Sequence, residues 1–452
     1  MLLKMGGLPH EHLSAPGLLQ AVRASFSYAK APTSKARKFT LPDCLMSGLS
    51  IFGMKSPSLL QFDENQAEPQ VRHNLRTLYG VKEAPCDTQL RERLDEVDPE
   101  SLGRTYKALL RLAQRSGALN HFKSLKGYYP VATDGTGVFS SHDVHCENCC
   151  IKNHRDGTVT YHHQILSAVM VCPGVKQVLP LISEPIVKQD GVAKNDCELN
   201  AAKRLYPKLR TMHPKLKMLV LEDALYANVP HLEELERLNF RYVICVKPEG
   251  NKALFEWVQK GRTRLEIRKG NVTYHLSWFN RAPLNESHPD FKVNFLECYE
   301  VHYDPKTKKE SGPIHCWTWI TDIPITKTNA LDLANLGRTR WHIENETFNT
   351  LKNQGYHFEH NFGHGNKHLS TVFTHLMMLA FLIDQIQELC CKAFQAAAER
   401  YRRCRLRERM RNNFINLFFA SWTDFLNYIV DPSEFGASSN KKGLITITSN
   451  TS

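Results

Sequence analysis

The chain has 452 residues, more than one hydrophobic core usually organises, so we expect two or three domains or one large domain with an insertion. Hydrophobic residues make up 42% of the chain and charged residues 23%, which is typical of globular proteins and excludes wholesale disorder. The 58 Lys and Arg residues outnumber the 46 Asp and Glu residues, and the formal charge of +12 favours an anionic partner such as nucleic acid or a membrane surface.

Two features bear on the cellular compartment. The longest apolar run, Val372 to Ile383, contains His375 and is shorter than the roughly 20 residues that a membrane helix needs. It therefore predicts a buried helix and no membrane partner. The 13 cysteines are an odd number, and the N-terminal residues show no secretory signal pattern, so we expect reduced thiols in the cytoplasm.

The N-terminal part of the chain predicts helices. Residues 1–38 carry basic residues and one acid, Glu11, which we interpret as a flexible basic arm, with a mitochondrial transit peptide as the alternative. Within residues 39–122, Asp98 at an N-cap and Pro99 at the first helical position precede an apolar stripe of helical period. We expect residues 39–122 to form a helical domain.

The pattern changes to strands after this domain. Residues 123–250 read as three strands, a helix, the apolar strand "KMLVLED", a helix and a further strand, which predicts the first part of an α/β core with a mixed sheet. Alternating residues over 251–328 predict antiparallel hairpins and hence a β-rich insertion. Residues 329–370 predict a long helix that completes the core, and residues 371–452 a helical C-terminal region and tail.

Three carboxylates stand at positions that suit a ligand site. Asp134 lies in "VATDGTG", where a predicted strand enters a Gly-flanked turn, Asp223 follows the most apolar strand, and Glu344 lies inside a predicted helix. Strand ends face the ligand crevice of an α/β sheet; the alternative is that Asp134 opens an Asx turn and Asp223 caps the next segment. Converging carboxylates repel unless divalent cations lie between them. Their oxygen ligands suit Mg²⁺ or Mn²⁺, and a pair of such ions serves phosphoryl transfer.

Four segments, in this order, carry a family resemblance. They read "DGTG", "LEDALYAN", "VKPEGN" and "RWHIENETFNTLKNQGYHFEHNFGHG". Together they resemble the transposases of bacterial insertion sequences, specifically the DDE group with a ribonuclease-H-like core and a Tyr-x2-Arg-x3-Glu-x6-Lys signature. The resemblance runs from about Phe39 through the helix after Gly365. It implies a DNA transposase that cuts at insertion-sequence ends and transfers the cut strand into target DNA.

The resemblance assigns roles to individual residues. It makes Asp134, Asp223 and Glu344 the catalytic acids and the ligands of two Mg²⁺ or Mn²⁺ ions. Arg340 matches the signature Arg, and its separation of one helical turn from Glu344 lets it orient that carboxylate and contact a phosphate.

The signature is matched imperfectly. Gly337 stands where the signature has Tyr, and Lys352, the matching phosphate contact, follows Glu344 by eight residues instead of seven. Glu346 lies six residues before Lys352 and is a rival third acid, but its offset from Arg340 is wrong. We therefore retain Glu344 as the third acid.

The resemblance also implies partners and a location. We expect double-stranded DNA, as terminal inverted repeats read by the helical N-terminal domain and as target, and a homodimer on paired ends. The location would be the bacterial cytoplasm, at the nucleoid when DNA is bound. The β-rich insertion would help to hold the DNA end. Its tryptophans are expected to be mostly core, with stacking of one on an unpaired base as the alternative; they are Trp257, Trp278, Trp317 and Trp319.

Two other groups of residues are candidates for binding a metal ion or phosphate. Cys146 and Cys149 form a Cys-x2-Cys among several histidines, but no second such pair follows at zinc-finger spacing. Free thiols are the default, and a structural Zn²⁺ completed by a His pair is the alternative. The run Glu399 to Arg411 contains seven Arg and two Glu. We predict phosphate contacts by Arg402 and Arg405, with a solvated helix face as the alternative.

The helix pattern "NDCELNAAKRLYPKL" begins with two acids. We expect Asp196 to be its N-cap and Glu198 a first-turn acid that favours the helix dipole, so neither is assigned chemistry.

Two rival functions stay open. One is a metal-dependent nuclease of the same fold without strand transfer, and the other is a non-catalytic DNA-binding protein derived from a transposase. The presence of all three acids disfavours the second.

Overall fold

A ten-stranded mixed sheet organises the computed structural model, which describes residues 10–32, 38–186, 188, 195–307, 309–311, 315–439 and 445–449. The strands are β1 Tyr129–Ser141, β2 Cys150–Asn153, β3 Val159–Cys172, β4 Val175–Ile186, β5 Met218–Glu222, β6 Arg241–Cys245, β7 Thr263–Lys269, β8 Val272–Pro283, β9 Lys292–His302 and β10 His315–Thr321. Their order is β2-β3-β1-β5-β6-β10-β9-β8-β7, and β4 pairs with β3.

The helices pack on this sheet and continue at both ends of the chain. They are α1 Ala15–Phe26, α2 Leu41–Gly53, α3 Leu59–Asn65, α4 Pro69–Tyr79, α5 Asp87–Asp95, α6 Gly103–Arg115, α7 Glu198–Met212, α8 Val229–Arg237, α9 Lys252–Val258, α10 Ala330–Thr339, α11 Asn349–Asn353, α12 Leu369–Cys390, α13 Lys392–Arg400, α14 Arg403–Asn416 and α15 Trp422–Val430. A π-helical turn, Ile343–Phe348, precedes α11.

The centre of the sheet has the predicted mixed character. β1 is antiparallel to β3 and parallel to β5, and β5 is parallel to β6. Every residue of β5 is buried, as its unbroken apolar run predicts for a strand covered on both faces. The parallel pairs require crossovers, which α7 and α8 supply. The predicted α/β core with a mixed sheet is confirmed.

The β-rich segment extends this sheet. β7 to β10 pair with each other as antiparallel neighbours, and β10 pairs antiparallel with β6. The hairpins predicted from alternating residues are therefore present, and they lengthen the main sheet. The predicted domain boundaries at residues 123–250, 251–328 and 329–370 stay predictions.

The N-terminal arm was predicted wrongly over residues 15–26. α1 packs on α6, and its Leu18, Val22 and Phe26 are buried. The basic character of the segment hid an apolar stripe long enough to fix a helix to the core. Residues 1–9 and 33–37 of the predicted arm lie outside the described residues.

The long apolar run lies in α12, as predicted for a buried helix. Among the described helices, α12 alone is long and apolar enough to cross a membrane by length and composition, but 89% of its most apolar window is buried inside the protein. Asp384 on α12 forms an ion pair with the buried Lys55 and accepts a hydrogen bond from Tyr356. These polar contacts anchor α12 to other parts of the protein core.

The C-terminal region is not wholly helical, which corrects the prediction. A second, three-stranded sheet joins β11 Phe418–Phe419, β12 Phe435–Ser439 and β13 Ile445–Ser449 in the order β11-β13-β12.

Candidate active site

Asp134 lies in β1, and Asp223 directly follows β5, the parallel neighbour of β1. The parallel register pairs Tyr129 with Met218 and Ala132 with Leu221, and each acid lies two residues beyond the last of these pairs. β1 continues through Asp134 to Ser141, so the predicted Gly-flanked turn at this position is wrong. The two acids instead lie where β5 ends and β1 continues beside β3.

A buried hydrogen-bonded layer supports these two positions. The carboxylate of Glu222, which is 0% exposed, accepts a hydrogen bond from Tyr206 at 2.5 Å and one from Thr133 at 3.2 Å. Its second oxygen contacts Nε2 of His231 at 2.8 Å. Thr133 precedes Asp134 and Glu222 precedes Asp223, so the network fixes the two strands immediately behind the acids.

Glu344 lies near Asp134, although it belongs to a much later segment of the chain. Arg340 donates from Nη2 to Glu344 Oε1 at 2.7 Å and from Nη1 to Asp134 Oδ2 at 3.4 Å. The guanidinium is buried, with 10% of the side chain exposed, whereas 46% of the Glu344 side chain is exposed. Two acids that lie about half the chain apart therefore meet at one cation. We call Asp134, Asp223, Glu344 and Arg340 the acid site.

The helix that carries Glu344 is irregular, in contrast to the single long helix predicted. α10 ends at Thr339, and Glu344 lies in the π-helical turn, where the amide of Asn349 donates to the carbonyl of Glu344. π turns of this kind are rare and are frequently found at functional sites.

The acid site has three carboxylates and one guanidinium, so its negative charge is not fully balanced. Burial, together with the neighbouring Glu344 carboxylate, raises the pKa of Asp134 to about 7, although Arg340 opposes this shift. An additional cation would relieve the repulsion, and the all-oxygen donor set fits Mg²⁺ or Mn²⁺.

The three acids are not gathered as tightly as ligands of one ion. Within the described ranges, the one group of three or more candidate ligand atoms that all lie within 4.8 Å of each other is made of Cys and His side chains. Asp223 meanwhile accepts a hydrogen bond from the amide of Leu225 at 2.9 Å, so it also caps the next segment, as the alternative interpretation expected.

The two other charged residues near Glu344 have their own partners. Glu346, the rival third acid, contacts Arg403 at 3.4 Å, and Lys352 contacts Glu359 at 2.9 Å. Of the two candidate acids in the π-helical turn, Glu344 is the one that contacts Arg340 and, through it, Asp134.

Gly337, the departure from the signature, packs against Trp319. A Cβ atom added at Gly337 would lie 2.4 Å from the indole ring of Trp319, which is fully buried. A tyrosine cannot occupy this position, because an aromatic ring from β10 already fills the space beside α10.

Glu198 also belongs to this region, which the sequence did not suggest. Tyr226 donates to its carboxylate at 3.3 Å, and a Cβ atom added at Gly135 would lie 2.3 Å from one of its oxygens. Burial and the charge of Asp223 raise the pKa of Glu198. A fourth carboxylate therefore lies against the strand segments that carry Asp134 and Asp223.

The expected N-cap role of Asp196 is wrong. The N-cap of α7 is Cys197, and Asp196 instead forms an ion pair with Arg204 at 2.7 Å. The Asp196 carboxylate is therefore paired with Arg204, which also forms an ion pair with Glu184.

The Cys-x2-Cys segment lies in a compact group with two distant histidines. Cys146, Cys149, His163 and His364 have ligand atoms that all lie within 4.8 Å of each other, and we call them the Cys/His cluster. Cys149, His163 and His364 are buried. The sequence pattern indicated the two cysteines as candidate zinc ligands, but no spacing rule connects them to a histidine 215 residues after Cys149.

The arginines of the run Glu399 to Arg411 include some that contact other parts of the protein and some that are exposed. Arg403 contacts Glu346 and Glu388, and the buried Arg407 donates to the carbonyl of Gln354. Arg402 and Arg405 are exposed and line an open groove that also contains residues of the π-helical turn. Neither side chain forms an ion pair within the described part of the chain.

The tryptophans of the β-rich segment are mostly packed, as expected. Trp278 and Trp319 are buried, Trp317 lies under the guanidinium of Arg338, and Trp257 is 40% exposed. Trp341, which the sequence did not single out, is 54% exposed immediately after Arg340.

One comparison with known proteins supports a family. Residues 178–382 match the family described as the transposase DDE domain. This match supports a transposase DDE domain in the chain. The match contains Asp223 and Glu344, begins after Asp134, and confirms the resemblance to DDE transposases. No curated protein matches the chain.

The domain assignment agrees with the fold. A mixed α/β sheet with helices is consistent with a ribonuclease-H-like transposase domain. Domains of this family generally act on DNA and use divalent metal ions, which supports transposase function in general terms.

Proposed function

We propose that the protein is a metal-dependent DNA transposase that cuts at the ends of an insertion sequence and joins the cut strand to target DNA. The observation that carries this proposal is the meeting of Asp134 and Glu344 at the Arg340 guanidinium, beside the strand end of Asp223. The transposase DDE domain match supports it from an independent direction.

Asp134, Asp223 and Glu344 would hold two Mg²⁺ or Mn²⁺ ions. Bound metal would lower the pKa of water and neutralise charge on the phosphate during an in-line displacement. The chain's own contribution is to fix Asp134 in β1 and Asp223 directly after the adjacent strand β5, next to the Glu222 network. Arg340 orients the third carboxylate and supplies a cation for the scissile phosphate.

The π-helical turn accounts for the irregular signature. A π-helical turn holds about one residue more than an α-helical turn, because its hydrogen bonds span five residues instead of four. The turn at Ile343–Phe348 would therefore absorb the additional residue between Glu344 and Lys352. We assign the chain to the Tyr-Arg-Glu-Lys group on this basis, with the tyrosine's volume supplied by Trp319.

Double-stranded DNA is the proposed partner, both as terminal inverted repeats and as target. The formal charge of +12 and the exposed Arg402 and Arg405 beside the π-helical turn support phosphate contacts. By analogy with the family, the helices before β1 would read the repeats, and a homodimer would hold paired ends.

The test is cleavage of a DNA fragment that bears the element's own inverted repeats. The parent protein should cut at the repeat end with Mg²⁺ and stop when Mg²⁺ is omitted. The Asp134→Ala variant should bind the same fragment without cutting it. Equal cutting by parent and variant would overturn the assignment of the first acid, and binding without cutting by the parent would favour a non-catalytic DNA-binding role.

A second assay separates transposase from nuclease. Pre-cleaved ends with a free 3′-hydroxyl are supplied together with a target plasmid, and joined products are counted. The proposal expects joining that depends on Glu344. Cutting in the first assay with no joining in the second would identify a metal-dependent nuclease of this fold.

A further inference from the structure

We propose that the Cys/His cluster binds one Zn²⁺ ion, which fastens the loop after the Glu344 helix to the strands that carry Asp134. Cys146 and Cys149 lie in the segment between β1 and β2, His163 lies on β3, and His364 lies between α11 and α12. The proposal concerns a site outside the acid site and does not rest on the proposed DNA activity.

Four of the six distances between the donor atoms lie near the edge lengths of a tetrahedron around a single ion. The Sγ atoms of Cys146 and Cys149 are 3.9 Å apart, and Nε2 of His163 lies 3.4 Å and 3.1 Å from them. Nε2 of His364 lies 3.4 Å from Sγ of Cys149. Zn–S bonds of about 2.3 Å and Zn–N bonds of about 2.0 Å require tetrahedral edges of roughly 3.3–3.8 Å.

The same distances disfavour other occupants. A disulfide would hold the two sulfur atoms at about 2.05 Å, far closer than the 3.9 Å between Cys146 and Cys149. A binuclear iron–sulfur cluster with two His ligands holds its thiolates and imidazoles on different iron ions. Here Nε2 of His163 touches both sulfur atoms, so the four donors enclose room for one ion.

The surroundings are those of a closed structural site. Cys149 is 1% exposed, His163 4% and His364 7%, so water has little access to a fourth ligand position. Phe139 packs its ring at 4.2 Å from the His364 ring and at 6.0 Å from the His163 ring. The amide of Cys146 faces Sγ of Cys149 at 3.4 Å, a contact that stabilises thiolate charge.

The loop that delivers His364 is built independently of the metal. Gly365 has φ of 70°, a left-handed conformation that glycine adopts readily, and a Cβ atom there would lie 2.3 Å from Asp95. Asp95 in turn accepts hydrogen bonds from the amides of Asn366 and Leu369 at 2.9 Å. The histidine is therefore held in position before the ion arrives.

The site joins the two halves of the core that the β-rich segment separates in sequence. His163 pairs with Phe139 across β1 and β3, and β1 carries Asp134. His364 follows the segment that carries Glu344. A zinc ion would thus tie together the elements on both sides of the acid site without supplying any chemistry to it.

Metal content of the purified full-length protein tests the proposal. The parent, expressed in zinc-containing medium, should carry one zinc per chain by elemental mass spectrometry. Cys149→Ser and His364→Asn should each lose most of it. Cys86→Ser, which changes an exposed cysteine on α5's N-terminal side, should retain the full amount.

A spectroscopic measurement covers the case in which the variants do not fold. Parent protein reduced and loaded with Co²⁺ should show the visible bands of tetrahedral cobalt and a thiolate charge-transfer band. Parent protein with less than about a tenth of an equivalent of zinc, and with no such bands after Co²⁺ loading, would overturn the proposal. Neither result depends on whether DNA is cut, so failure here is distinct from failure of the proposed function.

Discussion

The acid site and the Cys/His cluster share two parts of the chain but have opposite character. Both take side chains from the region of β1 to β3 and from the segment that follows the β-rich strands, and the acid site also takes Asp223, which follows β5. The Cys/His cluster is mostly buried, and its donor atoms lie within 4.8 Å of each other. The acid site is partly exposed, and a guanidinium holds two of its carboxylates.

The difference in burial indicates whether each site leaves positions open to water and substrate. A structural metal site is closed and supplies all the ligands itself, whereas a catalytic site leaves positions for water and substrate. The acid site accordingly holds carboxylates close together, and burial with the charge of Glu344 raises the pKa of Asp134. Changes in the acid site should therefore alter activity far more than stability, and changes in the Cys/His cluster should do the reverse.

The largest expected effect is on activity, from Glu344→Gln. Loss of a carboxylate at the proposed metal site removes several kcal/mol of transition-state stabilisation, so DNA cleavage should fall by about 10³-fold or more. The melting temperature should change little, because this side chain is nearly half exposed. Cleavage rate on the repeat-bearing fragment and thermal unfolding are the two measurements.

Glu346→Gln is the matched control for this change. It removes the neighbouring acid of the same π-helical turn, which contacts Arg403 instead of Arg340. Cleavage should stay within a few-fold of the parent. Loss of activity in Glu346→Gln with full activity in Glu344→Gln would exchange the two assignments.

The next largest effect is on stability, from removal of the proposed zinc. Phenanthroline treatment should lower the free energy of unfolding by about 2 kcal/mol or more, since metal that binds only the folded chain stabilises it. Omission of Mg²⁺ should leave the melting curve unchanged. The non-chelating isomer of phenanthroline is the control, and equal melting curves with both isomers would remove the contrast between the two sites.

A smaller effect on activity is expected at Glu198. This carboxylate lies against Gly135 and accepts a hydrogen bond from Tyr226, so it positions the strand segments beside Asp134 and Asp223. Glu198→Gln should lower cleavage by about 10- to 100-fold, the range for side chains that support a metal ligand from outside. The loss should be partly recovered at high Mg²⁺ concentration.

Lys203→Ala is the control on the same helix. Lys203 is exposed and contacts only Asn200 within the described residues, so its removal should leave cleavage unchanged. A Glu198→Gln variant that cleaves like Lys203→Ala at every Mg²⁺ concentration would show that Glu198 serves the fold alone.

The sequence predicted the features that follow from hydrophobic periodicity and from family motifs. The strands of the core, the buried α12 and the segments that carry the acids follow from local patterns of apolar residues. It could not show contacts between distant residues, such as Cys149 with His364, because spacing rules describe ligands that lie close together in sequence. Of the two helix acids, Glu198 lies in the first turn of α7 as predicted, but its contact with Tyr226 could not be foreseen, and Asp196 pairs with Arg204 instead of forming the N-cap.

The smallest expected effect is a pH dependence of stability at Asp134. Its pKa is raised from 3.8 to about 7 by burial and by Glu344. Between about pH 4 and pH 7 the folded protein keeps a proton that the unfolded chain releases, so the free energy of unfolding falls as pH rises through this window. In magnesium-free buffer, Asp134→Asn should remove part of that fall, on the order of 1–2 kcal/mol between about pH 5 and about pH 8. Asp332→Asn, a change at an exposed acid, should keep the slope of the parent. Urea unfolding at the two pH values measures the slopes, and identical slopes in all three proteins would mean that the acid site carries no unfavourable charge for a metal ion to relieve.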